Sequence, residues 1–109
     1  MNKEYVNDLS CQFKDKVMVV TGSTQGSGAE TAKLLAARGA KAITICGRQE
    51  EKGQNVKKEI ESLGAECIYV KADLSKVDDC KKIISETDKN FGTIHSLINI
   101  AGYLSLIHI

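Results

Sequence analysis

The sequence predicts an α/β protein, a parallel β-sheet with helices on both faces. Three observations carry that expectation. Short apolar runs alternate with longer amphipathic segments along the 109 residues. The apolar runs are nearly continuous, as in parallel strands covered on both sides. A glycine cluster, Gly22, Gly26 and Gly28, lies between the first apolar run and the first amphipathic segment. The resulting βαβαβαβ order, with connections long enough for right-handed crossovers, is that of a Rossmann-type sheet. Its expected strand order is 3-2-1-4.

Taken in order, residues 1–15 read as a polar leader that reaches the first strand through Phe13. Val17–Val20 is the first strand and Thr21–Gln25 the loop after it. Gly26–Arg38 is the first helix, with Leu34 and Leu35 on or near its buried face, and Gly39 ends it. Ala42–Cys46 is the second strand, with Gly47 and Arg48 at its carboxyl end. Glu50–Leu63 is the second helix, its core stripe Val56, Ile60 and Leu63, closed by Gly64. Cys67–Val70 is the third strand. Ser75 is expected to cap a third helix whose core stripe is Val77, Cys80, Ile84, Thr87 and Phe91, with Gly92 at its end. His95–Ile98, with Ile100, makes the fourth strand.

Composition narrows the function classes. Fifteen basic against 14 acidic residues leave a net charge of +1, which argues for neither a nucleic-acid nor a membrane partner. The cysteines Cys11, Cys46, Cys67 and Cys80 form no CxxC pair, so no metal site is expected. The start, MNKEYVNDLS, lacks the apolar core of a secretory signal, and no run is long enough to span a bilayer. A cytoplasmic location with reduced thiols is expected.

The stretch Lys16–Gly28, KVMVVTGSTQGSG, places its glycines between a strand and a helix. Glycines let backbone approach a ligand closely, and a helix start offers unpaired N–H groups to an anion. The stretch lacks the Lys of a P-loop, and its spacing is not GxGxxG. Its spacing, TGxxxGxG, resembles the signature of the short-chain dehydrogenase/reductase family. That resemblance implies that Gly22, Thr24, Gln25 and Gly26 line the site for the pyrophosphate and adenosine ribose of a nicotinamide cofactor. It also implies that Gly28 packs the helix against the sheet. Ser27 stands where the family usually has Ile, which is expected to loosen or rewet the helix start.

Further matches follow in chain order. The family's acidic residue at the end of strand two aligns with Gly47, and Arg48 follows. An uncrowded glycine beside a guanidinium suits the 2′-phosphate of NADP better than the 2′-hydroxyl of NAD. The alternative is a solvated Arg beside Glu50 and Glu51. Asp73-Leu74 matches the pair that meets the adenine ring, although Asp73 could serve only as a cap. Leu97–Gly102, LINIAG, resembles the family's LVNNAG. Asn99, Ala101 and Gly102 keep the cofactor contacts, and Ile100 replaces the second Asn. The resemblance runs from Phe13 to Gly102. It implies that residues 16–103 are a partial NAD(P)-binding domain of an enzyme that moves a hydride between NADP(H) and a carbonyl or secondary alcohol.

The family's catalytic set includes Tyr-xxx-Lys. Tyr5, Tyr69 and Tyr103 are followed four residues on by Leu9, Asp73 and Ile107, so no catalytic residue is assigned and the stretch alone is expected to be inactive. His95 and His108 read as structural. The chain is expected to be the N-terminal part of a longer enzyme, a homo-oligomer by family resemblance. Leu104–Ile109, LSLIHI, back-translates into a run that looks like a transposon-end adapter and is expected to be a non-native tail. A non-catalytic nucleotide sensor is the rival from another class. A methyltransferase on the same sheet order is a third, disfavoured by TGxxxGxG and NxAG.

Overall fold

A computed structural model describes residues 12–24 and 26–99. Its strands are β1 (Val17–Thr21), β2 (Ala42–Gly47), β3 (Glu66–Lys71) and β4 (Ser96–Asn99). Its helices are α1 (Gly26–Ala37), α2 (Glu50–Ser62) and α3 (Val77–Phe91). All strand pairs are parallel, in the order β3-β2-β1-β4. The expected fold class and strand order are what the chain forms. β1 and β2 each run one residue beyond their expected ends, to Thr21 and Gly47, because both strands stay hydrogen-bonded at those positions.

The sheet buries β1 completely and β2 through Cys46, which is why their apolar residues are consecutive rather than alternating. On one face Met18, Val20, Ile43 and Ile45 meet α1 and α2 through Ala32, Leu35, Val56 and Ile60. Phe13 packs against this cluster. On the other face Val19, Cys46, Val70 and Ala72 meet Ile83 of α3. Period-two alternation sends Thr44 to this second face as well. There the Thr87 hydroxyl is hydrogen-bonded to the Thr44 hydroxyl (2.8 Å) and to the Ile83 carbonyl (2.8 Å).

Several expected details are corrected. Leu34 and Leu63 are 49% and 45% exposed, outside the cores of their helices. The buried line of α3 is Ile83 and Thr87. Val77, at 69%, and Ile84, at 43%, point away from the sheet. Ser75 does not cap α3: Lys76 is the N-cap residue and makes no side-chain bond. Ser75 instead donates its N–H and hydroxyl to Asp73 Oδ1, at 2.9 and 2.7 Å. The Asp73 N–H is met by Asp79 Oδ2 at 2.7 Å. The Asx-type turn outcompetes the capping box because Asp73 lies two residues before Ser75. Ile100 falls outside the described residues.

His95 ties β4 to the start of β1. The Val17 N–H donates to His95 Nδ1 (2.9 Å), and the His95 N–H donates to the Val17 carbonyl (2.8 Å). The first bond requires a neutral ring with its proton on Nε2.

The described cysteines Cys46, Cys67 and Cys80 are free thiols. Burial pushes Cys46 up to about 11, opposed by a backbone bond from Gly22, and pushes Cys67 up to about 12. An unfolded chain releases these protons near pH 8.5, so above that pH it binds fewer protons than the native state. Stability contributed by both thiols is therefore expected to fall as pH rises from about 8.5 toward 11 to 12. Urea unfolding at pH 7.5 and 10.5 checks this. Cys67→Val should flatten the alkaline loss, and an unchanged slope would contradict the assignment.

Candidate nucleotide-binding site

All four strands end at one edge of the sheet, and the described residues that leave them there include several expected to bind a nucleotide. Gly22, Ser23 and Thr24 leave β1, Gly47 and Arg48 leave β2, Asp73 and Leu74 follow β3, and Asn99 ends β4. A parallel sheet places ligands at this carboxyl edge, where neighbouring crossovers diverge. Gln25, Ala101 and Gly102, also expected in the site, lie outside the described residues.

The glycines of the loop have different jobs. Gly22 and Gly26 adopt φ of 61° and 60°, a left-handed conformation that side chains resist. A Cβ on Gly26 would meet nothing within 4 Å, so the space beside it is open. Gly28 is helical, but a Cβ there would run into the Gly22 carbonyl oxygen and come within 2.8 Å of its carbon. Gly28 thus packs the helix start against the loop backbone, more closely than against the sheet. Ser27 is exposed in the first turn of α1. Together the open space at Gly26 and the N-terminus of α1 fit an anionic group.

Ser23, unassigned in the sequence reading, anchors the loop. It is fully buried. Its hydroxyl donates to the Val20 carbonyl (2.6 Å) and accepts from the Cys46 N–H (3.0 Å). Its own N–H donates to the Cys46 carbonyl (3.2 Å). These bonds continue the β1–β2 pairing where the loop turns away.

Gly47 is not uncrowded. A Cβ on it would lie 2.6 Å from Thr24 Cγ2, 2.7 Å from Thr24 Oγ1 and 3.2 Å from Thr24 Cβ. Its carbonyl accepts from the Tyr69 hydroxyl (2.7 Å) and from the Ala72 N–H (2.9 Å). Tyr69 in turn lies over Gly53, where any Cβ would strike the ring. A glycine inside the otherwise helical pattern of α2 was the available signal for that contact. Burial, then Glu50, holds the Tyr69 hydroxyl above its ordinary range, so it stays a donor to Gly47.

Arg48 is exposed at the edge, and its charge helps depress the Asp73 carboxyl. The larger cause of that depression is hydrogen bonding from Ser75. The two sequence-picked side chains therefore share one electrostatic environment. Leu74 packs its side chain against the α3-side core. Asn99 Oδ1 accepts from the Thr21 hydroxyl at 2.8 Å, beside the β1–β4 register pair Thr21↔Asn99. Among the described residues no cluster of three or more His, Cys, Asp or Glu is placed to hold a metal. Likewise no helix among them is long and apolar enough to cross a membrane.

Known proteins match this architecture. A family model described as short chain dehydrogenase matches residues 16–108. The chain is 37% identical over 92 residues to 11-beta-hydroxysteroid dehydrogenase A of Sesamum indicum, covering 84% of this chain and 26% of that protein. It superposes with a TM-score of 0.76 on a putative dehydrogenase from Burkholderia cenocepacia with bound NADP, at 28% identity over 80% of this chain and 34% of the other. It superposes with a TM-score of 0.74 on an NADH-dependent reductase complexed with NAD, at 27% identity over 83% of this chain and 37% of the other. The chain thus spans between a quarter and two fifths of these relatives.

Proposed function

This chain belongs to the short-chain dehydrogenase family, and we propose that its carboxyl edge holds the adenosine half of NADP. The full-length protein would be an oxidoreductase moving a hydride between NADP(H) and a carbonyl or secondary-alcohol substrate. The observation that carries the reading is the loop from Gly22 to Gly28. Open space lies beside Gly26, and Gly26 is itself the first residue of α1. The nicotinamide cofactor, when bound, supplies the hydride chemistry, and the protein supplies placement and charge.

In this reading Gly22, Thr24, Gln25, Gly26 and Ser27 are the residues that take the pyrophosphate and ribose. Gly28 keeps the helix start close. Arg48 meets the 2′-phosphate as a planar, permanently charged donor. Asp73 uses one carboxylate oxygen for Ser75 and offers the other to the adenine amino group, with the Leu74 N–H beside it. Asn99 ends β4, and Ala101 and Gly102 are taken with it as cofactor contacts on the strength of the family's motif. The free thiols fit a cytoplasmic enzyme, and we take its full-length form to be a homo-oligomer.

Arg48→Ala tests the cofactor assignment. The substitution removes one exposed charge-assisted contact, so NADPH should bind about tenfold more weakly. NADH binding, followed by cofactor fluorescence, should change less than about threefold, within the scatter of a surface substitution. An equal loss for both cofactors would place Arg48 away from the 2′-phosphate and sink the NADP reading.

A further inference from the structure

We propose that Thr24 is a specificity-determining residue: it keeps the last position of β2 a glycine and thereby leaves Arg48 as the first side chain to meet the ribose. This rests on the NADP reading above and adds a second residue to it. Both Thr24 branches lie against the Cβ direction of Gly47, at 2.6 and 2.7 Å. Threonine carries two heavy atoms on Cβ, and three staggered positions must hold them. Only one of those positions points away from Gly47. Whichever rotamer Thr24 adopts, at least one branch stays in the way.

Backbone movement offers no easy relief. On one side the Gly47 carbonyl is held by Tyr69 and Ala72, at 2.7 and 2.9 Å, and the residue remains in register with Lys71. On the other side Thr24 follows Ser23, whose backbone and hydroxyl are tied to Val20 and Cys46. The held Gly47 thus faces a residue that directly follows the held Ser23, and the atoms in the way belong to the Thr24 side chain. An acidic residue at position 47, which would accept the 2′-hydroxyl of NAD, therefore requires a smaller residue at position 24. Preference for NADP is written twice, once as the charge of Arg48 and once as the volume of Thr24.

The test uses the full-length protein and two nucleotide fragments, adenosine 2′,5′-bisphosphate and adenosine 5′-monophosphate. Gly47→Ala adds only the Cβ and should lower Tm by about 5 °C. Thr24→Ala removes both branches, so in that background the same Gly47→Ala should cost less than about half as much. By calorimetric titration, wild type should prefer the bisphosphate. Thr24→Ala/Gly47→Asp should turn that preference toward the monophosphate by about tenfold, whereas Gly47→Asp alone should not. Additive Tm losses, or inversion by Gly47→Asp alone, would overturn the role of Thr24 while leaving the NADP reading in place. A wild-type preference for the monophosphate would overturn the NADP reading itself, and the Tm cycle would still decide whether Thr24 and Gly47 are coupled.

Discussion

Gly28→Ala is expected to destabilise the protein by about 3 kcal/mol, the upper end for inserting a methyl group into closed space. The added carbon would collide with the Gly22 carbonyl oxygen, a backbone atom. To make room, the start of α1 must withdraw or the Gly22 peptide must turn. Either movement disperses the N–H groups that the loop presents, so cofactor affinity should fall together with stability. Gly26→Ala is the control. Position 26 has a φ of 60° but no atom within reach of a Cβ. Its cost is conformational alone, about 1 to 2 kcal/mol. Chemical denaturation of both variants, with NADPH titration, separates the effects. Gly28→Ala as stable as Gly26→Ala would show that the close approach is not required.

Thr87→Val is expected to cost about 2 kcal/mol, and the reason is its partner. Thr44 and Thr87 are both completely buried, facing each other between β2 and α3. Removing the Thr87 hydroxyl leaves the Thr44 hydroxyl with neither water nor its partner. The reverse change, Thr44→Val, leaves Thr87 still bonded to the Ile83 carbonyl, and should cost nearer 1 kcal/mol. With both replaced, the surroundings of Val19, Cys46, Val70 and Ile83 accept two apolar side chains of similar shape. Thr44→Val/Thr87→Val should therefore be more stable than Thr87→Val alone. Urea denaturation of the three variants checks the order, and simple additivity would contradict a shared hydrogen bond.

The sheet was legible because its strands are nearly continuous apolar runs and its glycines mark where helices stop. Gly92, left-handed at φ 75° after α3, is one such stop. The inward face of α3 was less legible. Val77 and Ile84 sit at helical spacing as well as Ile83 does, and periodicity cannot say which stripe a sheet will choose. The Thr44 hydroxyl helps decide it, by giving Thr87 a buried partner 43 positions away. Ser75 misled for a local reason, since it answers to Asp73 rather than to its own helix. In the candidate site, motif spacing singled out Gly22, Gly28, Arg48 and Asp73 as candidates, and the described strands bring Gly22, Arg48 and Asp73 to one edge of the sheet. The contact of Thr24 with Gly47, and the hold of Tyr69 on the Gly47 carbonyl, join residues 22 or 23 positions apart. No spacing rule carries such contacts.

The sheet order also fixes a sequence of events during synthesis. β1 is an inner strand, paired to β2 on one side and β4 on the other. Its bond to His95 spans 78 positions, whereas its pairing with β2 begins at Ala42. Closing the longer span costs about 1 kcal/mol more in chain entropy than closing the shorter one. Of these four strands a ribosome delivers β1 first and β4 last. β1, buried along its whole length, therefore waits with one edge unpaired until Ser96 emerges, and the imidazole of His95 arrives just ahead of the strand that covers that edge.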